Sequence, residues 1–351
     1  MGLSTGLNRG PNRGPNRGPT GAALIDRRAL IAGGASLAGV ALAGAGPARA
    51  RDLARPTREL MVPVEGGRVY VRVDGDLAGA RAPIIMAHGG PGGTHASFLE
   101  ALALAGERAV ILYDQLDSGR SDHPNNPANW LVSRFVDELE AIRAALGVAR
   151  WHMLGASWGG TIALEYGARR PTALAGLVLA SPLISTRSWL ADARALIGEL
   201  PTPIQEELRR CGALTLPAPP PSCDEPTRAF YAAFNRREPP APDIKAYTGQ
   251  GRGFNAGLYR AMWGASEFVS TGTLKDYDGE PLLAKLEGKR TLFLCGQYDE
   301  ARPVTVGAFA ARVPGAGFGV VPGAAHGLFN DRPAETIGML RAWLARQDVL
   351  A

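Results

Sequence analysis

Five short apolar runs, at Ile84–Ala87, Val110–Tyr113, His152–Leu154, Leu177–Ala180 and Thr291–Leu294, are each bounded by Gly, Pro, Asp or Ser. Runs so brief and so uniformly apolar suit strands buried on both faces, because a strand with one wet face would alternate. Arg68–Val73 (RVYVRV) does alternate, and Gly317–Val321 reads as a last strand. Helical patterns lie between these runs, at Ser133–Leu146 (closed by Gly147), Gly160–Arg169, Val304–Arg312 and Ala334–Arg346. Strands alternating with helices over most of the chain predict an α/β fold, with a mainly parallel sheet flanked by helices. Residues 185–275 break this rhythm with helical patterns and two proline clusters, at 217–221 and 239–242. They predict a helical cap inserted between two core segments, 51–184 and 276–351.

Charge is distributed unevenly. Of 38 Lys and Arg and 33 Asp and Glu, six arginines and one acid lie in residues 1–50, which leaves 32 of each sign for the rest. A formally neutral body removes the main electrostatic support for a nucleic-acid partner. The first 50 residues have their own logic. GPNRGPNRGP at 10–19 cannot bury a core and reads as a disordered n-region. Arg27-Arg28 then precedes an uncharged stretch from Ala29 to Gly46 and a small-x-small pattern ending at Ala50. This resembles a twin-arginine signal peptide, which implies the Tat export machinery as a partner. It also implies cleavage near Ala50, a periplasmic or secreted protein, and no stable membrane association thereafter. An uncleaved anchor is the alternative, although the stretch is short and glycine-rich for one. In an oxidising compartment Cys211 and Cys223 could pair, while Cys295, in TLFLC, reads as a core residue. No Cys/His cluster has metal-ligand spacing, so neither a metal nor an organic cofactor is expected.

Gly155-Ala156-Ser157-Trp158-Gly159 is a G-x-S-x-G pentapeptide set between an apolar strand and a helix. That context is what a nucleophile elbow needs, since side chains at 155 and 159 would collide across the tight turn. A serine hydroxyl also needs a base. Among five histidines, His326 falls between the last strand and the C-terminal helix, where the chain order Ser…acid…His puts it. Asp299, at the end of the strand Thr291–Leu294, is the acid that would orient it, with Glu300 and Asp331 as substitutes. The loop after Ile84–Ala87, HGGPGG, has almost no side chains, so backbone N–H groups can approach a ligand. Gly90 and Trp158 are assigned as oxyanion donors. A phosphate-binding loop would need a Lys-Ser/Thr or a full G-x-G-x-x-G that is not there.

Taken together, His88-Gly89-Gly90-Pro91-Gly92, Asp114–Asp122 (DQLDSGRSD), Gly155–Gly160 and Gly296–Glu300 (GQYDE) resemble the proline iminopeptidase family of α/β-hydrolases, over residues 60–347. The resemblance implies an α/β-hydrolase core with a helical cap. It further implies removal of an N-terminal residue, often proline, from short peptides, or hydrolysis of amino-acid amides. Met262–Phe268 matches the family's M-x-G-x-x-E-F segment, which implies that Glu267 meets the substrate's amino terminus. Glu238 is a second anionic candidate with no motif match. Phe268 and Trp158 are candidates for an apolar pocket around the first residue. Two departures concern specificity. Asp117 stands where the family more often has glycine, and GLFND after His326 lacks the acid often found there. The competing readings are an amidase or esterase using the same triad, and a ligand-binding module on a dead hydrolase scaffold.

Overall fold

The structure, a computed structural model, describes Leu53 and residues 55–213, 220–249 and 253–350, all within the unit Asp52–Ala351. The expectations placed on residues 1–50 lie outside the described residues. Ten strands run in chain order: β1 Arg58–Val64, β2 Gly67–Asp74, β3 Ile84–Ala87, β4 Val110–Asp114, β5 Trp151–Ala156, β6 Leu174–Ala180, β7 Gly264–Ser266, β8 Val269–Ser270, β9 Thr291–Gly296 and β10 Gly317–Val321. Among the described residues ten α-helices accompany them: α1 Val132–Leu146, α2 Trp158–Ala168, α3 Thr186–Ile197, α4 Thr202–Gly212, α5 Asp224–Phe234, α6 Pro242–Thr248, α7 Ala256–Met262, α8 Pro303–Ala311, α9 Leu328–Asp331 and α10 Pro333–Leu350.

Eight strands form one sheet in the order β1-β2-β4-β3-β5-β6-β9-β10. The pairs β1–β2 and β2–β4 are antiparallel, and every pairing from β4 to β10 is parallel. The parallel strands are apolar throughout because both of their faces are covered. Ile85, Ile111, Tyr113, Met153, Leu177, Leu179 and Phe293 point to the side packed by α1, α2 and α8. Their neighbours Ile84, Met86, Val110, Leu112, Leu154, Val178 and Leu292 point to the side covered by α10 and the 3₁₀ segment His95–Leu104. Strand β1 was not expected. It is an edge strand with mixed residues and Pro63, tolerated there because an edge N–H need not join a ladder.

Between β6 and β9 the chain builds α3 to α7 and the small β7–β8 pair, with a cluster of their own around Leu196, Leu208, Phe230 and Phe234. Tyr247 and Asn255 are among the residues that tie this insertion to the core. The Tyr247 hydroxyl accepts from Arg72 at 3.3 Å and lies 2.9 Å from His95 Nε2, while the Arg120 guanidinium stacks 4.7 Å from its ring centre. Asn255 donates its N–H to the Gly92 carbonyl at 2.8 Å and its side-chain amide to the Asp117 carbonyl at 2.7 Å. A disulfide joins Cys211 at the end of α4 to Cys223 just before α5, with Cα atoms 5.9 Å apart. Cys295 is buried and free.

Glycine sets the tightest contact. A Cβ on Gly155 would lie 1.9 Å from the Gly159 carbonyl oxygen, and one on Gly159 would lie 2.0 Å from the Ala87 carbonyl oxygen. The end of β5, the start of α2 and the end of β3 therefore touch through bare backbone. Two outcomes are expected. Gly159→Ala should destabilise the protein by about 3 kcal/mol or more, read as a lowered urea midpoint at unchanged slope. Cys211→Ser combined with Cys223→Ser should lose about 3 kcal/mol of loop-closure stabilisation, visible as a Tm several degrees lower than that of the oxidised protein.

Candidate active site

Ser157 sits between β5 and α2 with φ 58° and ψ −122°, a strained conformation for a non-glycine residue. Its backbone is held on both sides. The N–H donates to the Ala180 carbonyl at 3.1 Å, and its carbonyl accepts from Gly160 and Leu183 at 2.8 and 3.0 Å. The hydroxyl is thus raised above the carboxyl ends of the parallel strands, where it lines a cavity of about 600 Å³ beneath the insertion.

His326 lines the same cavity. Its Nδ1 lies 2.8 Å from Asp299 Oδ1. The Asp299 carboxylate is buried and well satisfied, accepting from the N–H groups of Gly296 and Ala301 at 2.9 Å each and from the Ser181 hydroxyl. These donors fix the carboxylate in the plane that the imidazole needs, which places the proton on Nδ1 and leaves Nε2 to act. The Trp189 ring meets the imidazole edge to face, centres 5.5 Å apart. No direct hydrogen bond joins Ser157 to His326 among the described residues.

The glycine loop after β3 is locked to the elbow by side chains that the sequence motifs supply. His88 is fully buried, with Nδ1 2.9 Å from the Gly89 carbonyl, and its Nε2 accepts the Gln115 N–H at 3.1 Å. Burial holds this imidazole below its ordinary pKa, which keeps it neutral. Gln115 donates to the His88 carbonyl at 2.9 Å and accepts from Trp158 Nε1 at 2.8 Å. Gly90, at φ 115° before a cis proline, lines the cavity. Trp158 opens α2, so its N–H has no acceptor within the helix. Asp117 does adopt the left-handed conformation that glycine usually takes, at φ 63°. Its carboxylate accepts from the Asn125 N–H at 2.7 Å and from Trp130 Nε1 at 2.8 Å.

Glu267 lines the cavity, and a second acidic residue, Glu300, is buried beside His326. Glu267, between β7 and β8, accepts from the Tyr259 hydroxyl at 2.7 Å, and its N–H donates to the Tyr231 hydroxyl at 3.3 Å. Glu300 is buried beside Asp299. Its Oε1 accepts from Asn235 Nδ2 at 2.6 Å and lies 3.6 Å from His326 Nε2, whereas its Oε2 is buried without a partner. Burial pushes both carboxyls up, and Glu300 is pushed further by the neighbouring Glu267. Burial opposes the charged imidazole too, but Glu300, Asp299 and Glu267 outweigh it and raise His326 to about 9.

Several expected residues lie elsewhere. The Trp158 side chain is fully buried against Phe135 and does not face the cavity, because the helix turns it toward the core. Phe268 packs on Phe230 inside the insertion, its ring centre 5.2 Å away, and does not line the cavity. Glu238 pairs with Arg332 at 3.1 Å and is not on the wall. Asp331 is no substitute acid: its carboxylate accepts the N–H groups of Arg237, Glu238 and Ala325, bracing the His326 loop. Glu300, named from sequence only as a substitute acid, belongs to the site in another way. The acidic pair Asp299-Glu300 at a strand end was its one signal, while Tyr231, Tyr259 and Asn235 carried none.

The α/β-hydrolase fold family matches residues 82–333. A proline iminopeptidase of Heyndrickxia coagulans is 34% identical over 294 residues, covering 82% of this chain and 98% of that protein. One of Levilactobacillus brevis is 33% identical, covering 83% and 97%. Among solved structures, VinJ superposes with a TM-score of 0.75 at 32% identity, covering 84% of this chain and 100% of that one. The proline iminopeptidase of Mycobacterium smegmatis gives 0.72 at 31%, covering 84% and 99%. With the family model spanning residues 82–333 and relatives more than 30% identical over four-fifths of the chain, the chain belongs to the proline iminopeptidase family of α/β-hydrolases.

Proposed function

We propose that the protein is a serine aminopeptidase that removes the N-terminal residue, proline among those accepted, from short peptides or amino-acid amides. The observation that carries this is Glu267 on the wall of the cavity that holds Ser157 and His326, with Glu300 buried 3.6 Å from His326 Nε2. Such a wall wants a cation at a fixed distance from the nucleophile, and an unblocked peptide terminus supplies one. The relatives named as proline iminopeptidases support the reading.

The residues act in sequence. His326 takes the Ser157 proton as Oγ attacks the scissile carbonyl, and Asp299 orients and stabilises the imidazolium. The N–H groups of Gly90 and Trp158 receive the oxyanion, each worth roughly 2.7–4 kcal/mol in the transition state. The imidazolium then protonates the leaving amine, and water activated by His326 releases the first residue. Glu267 and Glu300 grip its ammonium group, primary or, for proline, secondary, and the insertion over the cavity limits the length of what can enter.

Export completes the proposal. The arginine pair, the apolar stretch and the Ala50 site support a Tat-dependent leader, and the Cys211–Cys223 disulfide fits an oxidising compartment. Sequencing the amino terminus of protein recovered from the periplasm or medium should start near Arg51, and retention of the leader would contradict export with cleavage.

Glu267→Gln should lower kcat/KM on prolyl- and alanyl-naphthylamide by about a hundredfold, as loss of a buried ionic partner implies. Hydrolysis of a neutral aryl acetate should not fall. Acetylating the substrate's amine should reproduce the loss in the unaltered enzyme. Equal losses on amide and acetate would refute the amino-anchor role.

A further inference from the structure

What faces His326 before the substrate arrives? Glu300 Oε1 lies 3.6 Å from His326 Nε2, and among the described residues no hydrogen bond joins Ser157 to the ring. The imidazole edge that must take the serine proton therefore faces a carboxylate at rest. Every element packed around it contributes to one electrostatic balance. Asp299 and Glu300 come from the loop after β9, and Glu267 from the β7–β8 turn. Tyr231 and Asn235 come from the end of α5, Tyr259 from α7, and the uncharged Trp189 from α3. Arg236 and Arg260 also line the cavity, but no ion pair joins either to Glu267 or Glu300 among the described residues. Three carboxyl groups thus converge on one imidazole, and one oxygen, Glu300 Oε2, is buried with no hydrogen-bond partner among the described residues.

We propose that the resting enzyme keeps His326 as an imidazolium serving as counter-ion to Glu300 and Glu267, and that the substrate's own ammonium group displaces this proton. The inference rests on the aminopeptidase reading above and gives it a specificity mechanism. An imidazolium cannot accept a proton from Ser157. When the substrate's cationic terminus settles on Glu267 and Glu300, the carboxylates gain a new counter-charge, and two cations so close repel. The proton on Nε2 leaves to water through the cavity mouth. Neutral Nε2 is then free to turn from Glu300 to Ser157 and take the hydroxyl proton. The Oγ–carbonyl bond forms as the carbonyl electron pair moves to oxygen, and the same proton later goes to the leaving amine as the C–N bond breaks. The acyl residue still carries its ammonium group, so His326 remains a base for deacylation. Product release restores the imidazolium. A neutral ester fits the cavity but meets an enzyme whose base is protonated at neutral pH.

The test compares the free and occupied enzyme. Labelling of Ser157 by an uncharged fluorophosphonate reads the free imidazole, and its rate should rise with pH with a midpoint near 9. The acidic limb of kcat for an alanyl arylamide reads the occupied site and should lie at least one pH unit lower. Glu300→Gln should bring the labelling midpoint down by a unit or more, toward the kcat limb, and the labelling itself reports that the variant is folded. Added pyrrolidinium should speed labelling of the unaltered enzyme at pH 7. Coincident limbs, or a labelling midpoint that Glu300→Gln does not move, overturn the proposal. If no aminoacyl arylamide is cleaved, the aminopeptidase reading fails by itself. The labelling arms then still decide the rest, since acceleration by pyrrolidinium supports cation exchange and its absence overturns it.

Discussion

Bare backbone meets bare backbone where β5 turns into α2. With no Cβ at Gly155 or Gly159, the Gly159 carbonyl and the Ala87 carbonyl approach to distances that any side chain would forbid. The strained turn at Ser157 and the start of the glycine loop are thereby pressed into one unit. The polar residues of the other motifs then weld that unit together. His88 bonds to Gly89 and Gln115, and Gln115 to Trp158, so the second motif holds the first against the third. Asp114 plays a parallel part: one oxygen takes the His95 N–H and lies 2.9 Å from its Nδ1, the other takes the Arg120 N–H. These motifs occur together because each supplies the hydrogen-bond partner that another, buried, would lack.

The insertion completes the site rather than merely roofing it. The Phe234 carbonyl at the end of α5 accepts the N–H groups of both Glu300 and His326, and the Asn235 carbonyl accepts that of Gly327. The acid loop and the histidine loop are therefore registered against the same helix end that also contributes Asn235 to Glu300. Glu300 and His326 share this scaffold, so a shift of α5 would move both.

The core was readable in the chain to within a few residues. The uniform apolarity of β3, β4, β5, β6 and β9 follows from burial on two faces, a property that composition expresses locally. Helix α1 ends at Gly147, whose φ of 67° suits glycine, and that stop was legible for the same local reason. Strand β1 was not, because an edge strand needs no distinctive pattern and its pairing with β2 is a matter of partner. Ser157, Asp299 and His326 stand out as candidates in the chain because each follows a strand in a fixed order.

What the sequence determined by itself is the order of strands and helices, the strained turn that exposes Ser157, and the residues for a proton relay. What only tertiary structure decided is which charges share a cavity. Glu300 reads in the chain as one acid beside another, and Glu238 as an equal candidate. Folding sends Glu238 out to Arg332 and buries Glu300 next to the imidazole with one oxygen unpartnered. The reason is range. Backbone conformation is set by neighbours a few residues away, whereas the field at His326 is the sum of groups from α5, α7, the β7–β8 turn and the β9 loop. No local pattern records that these four will meet.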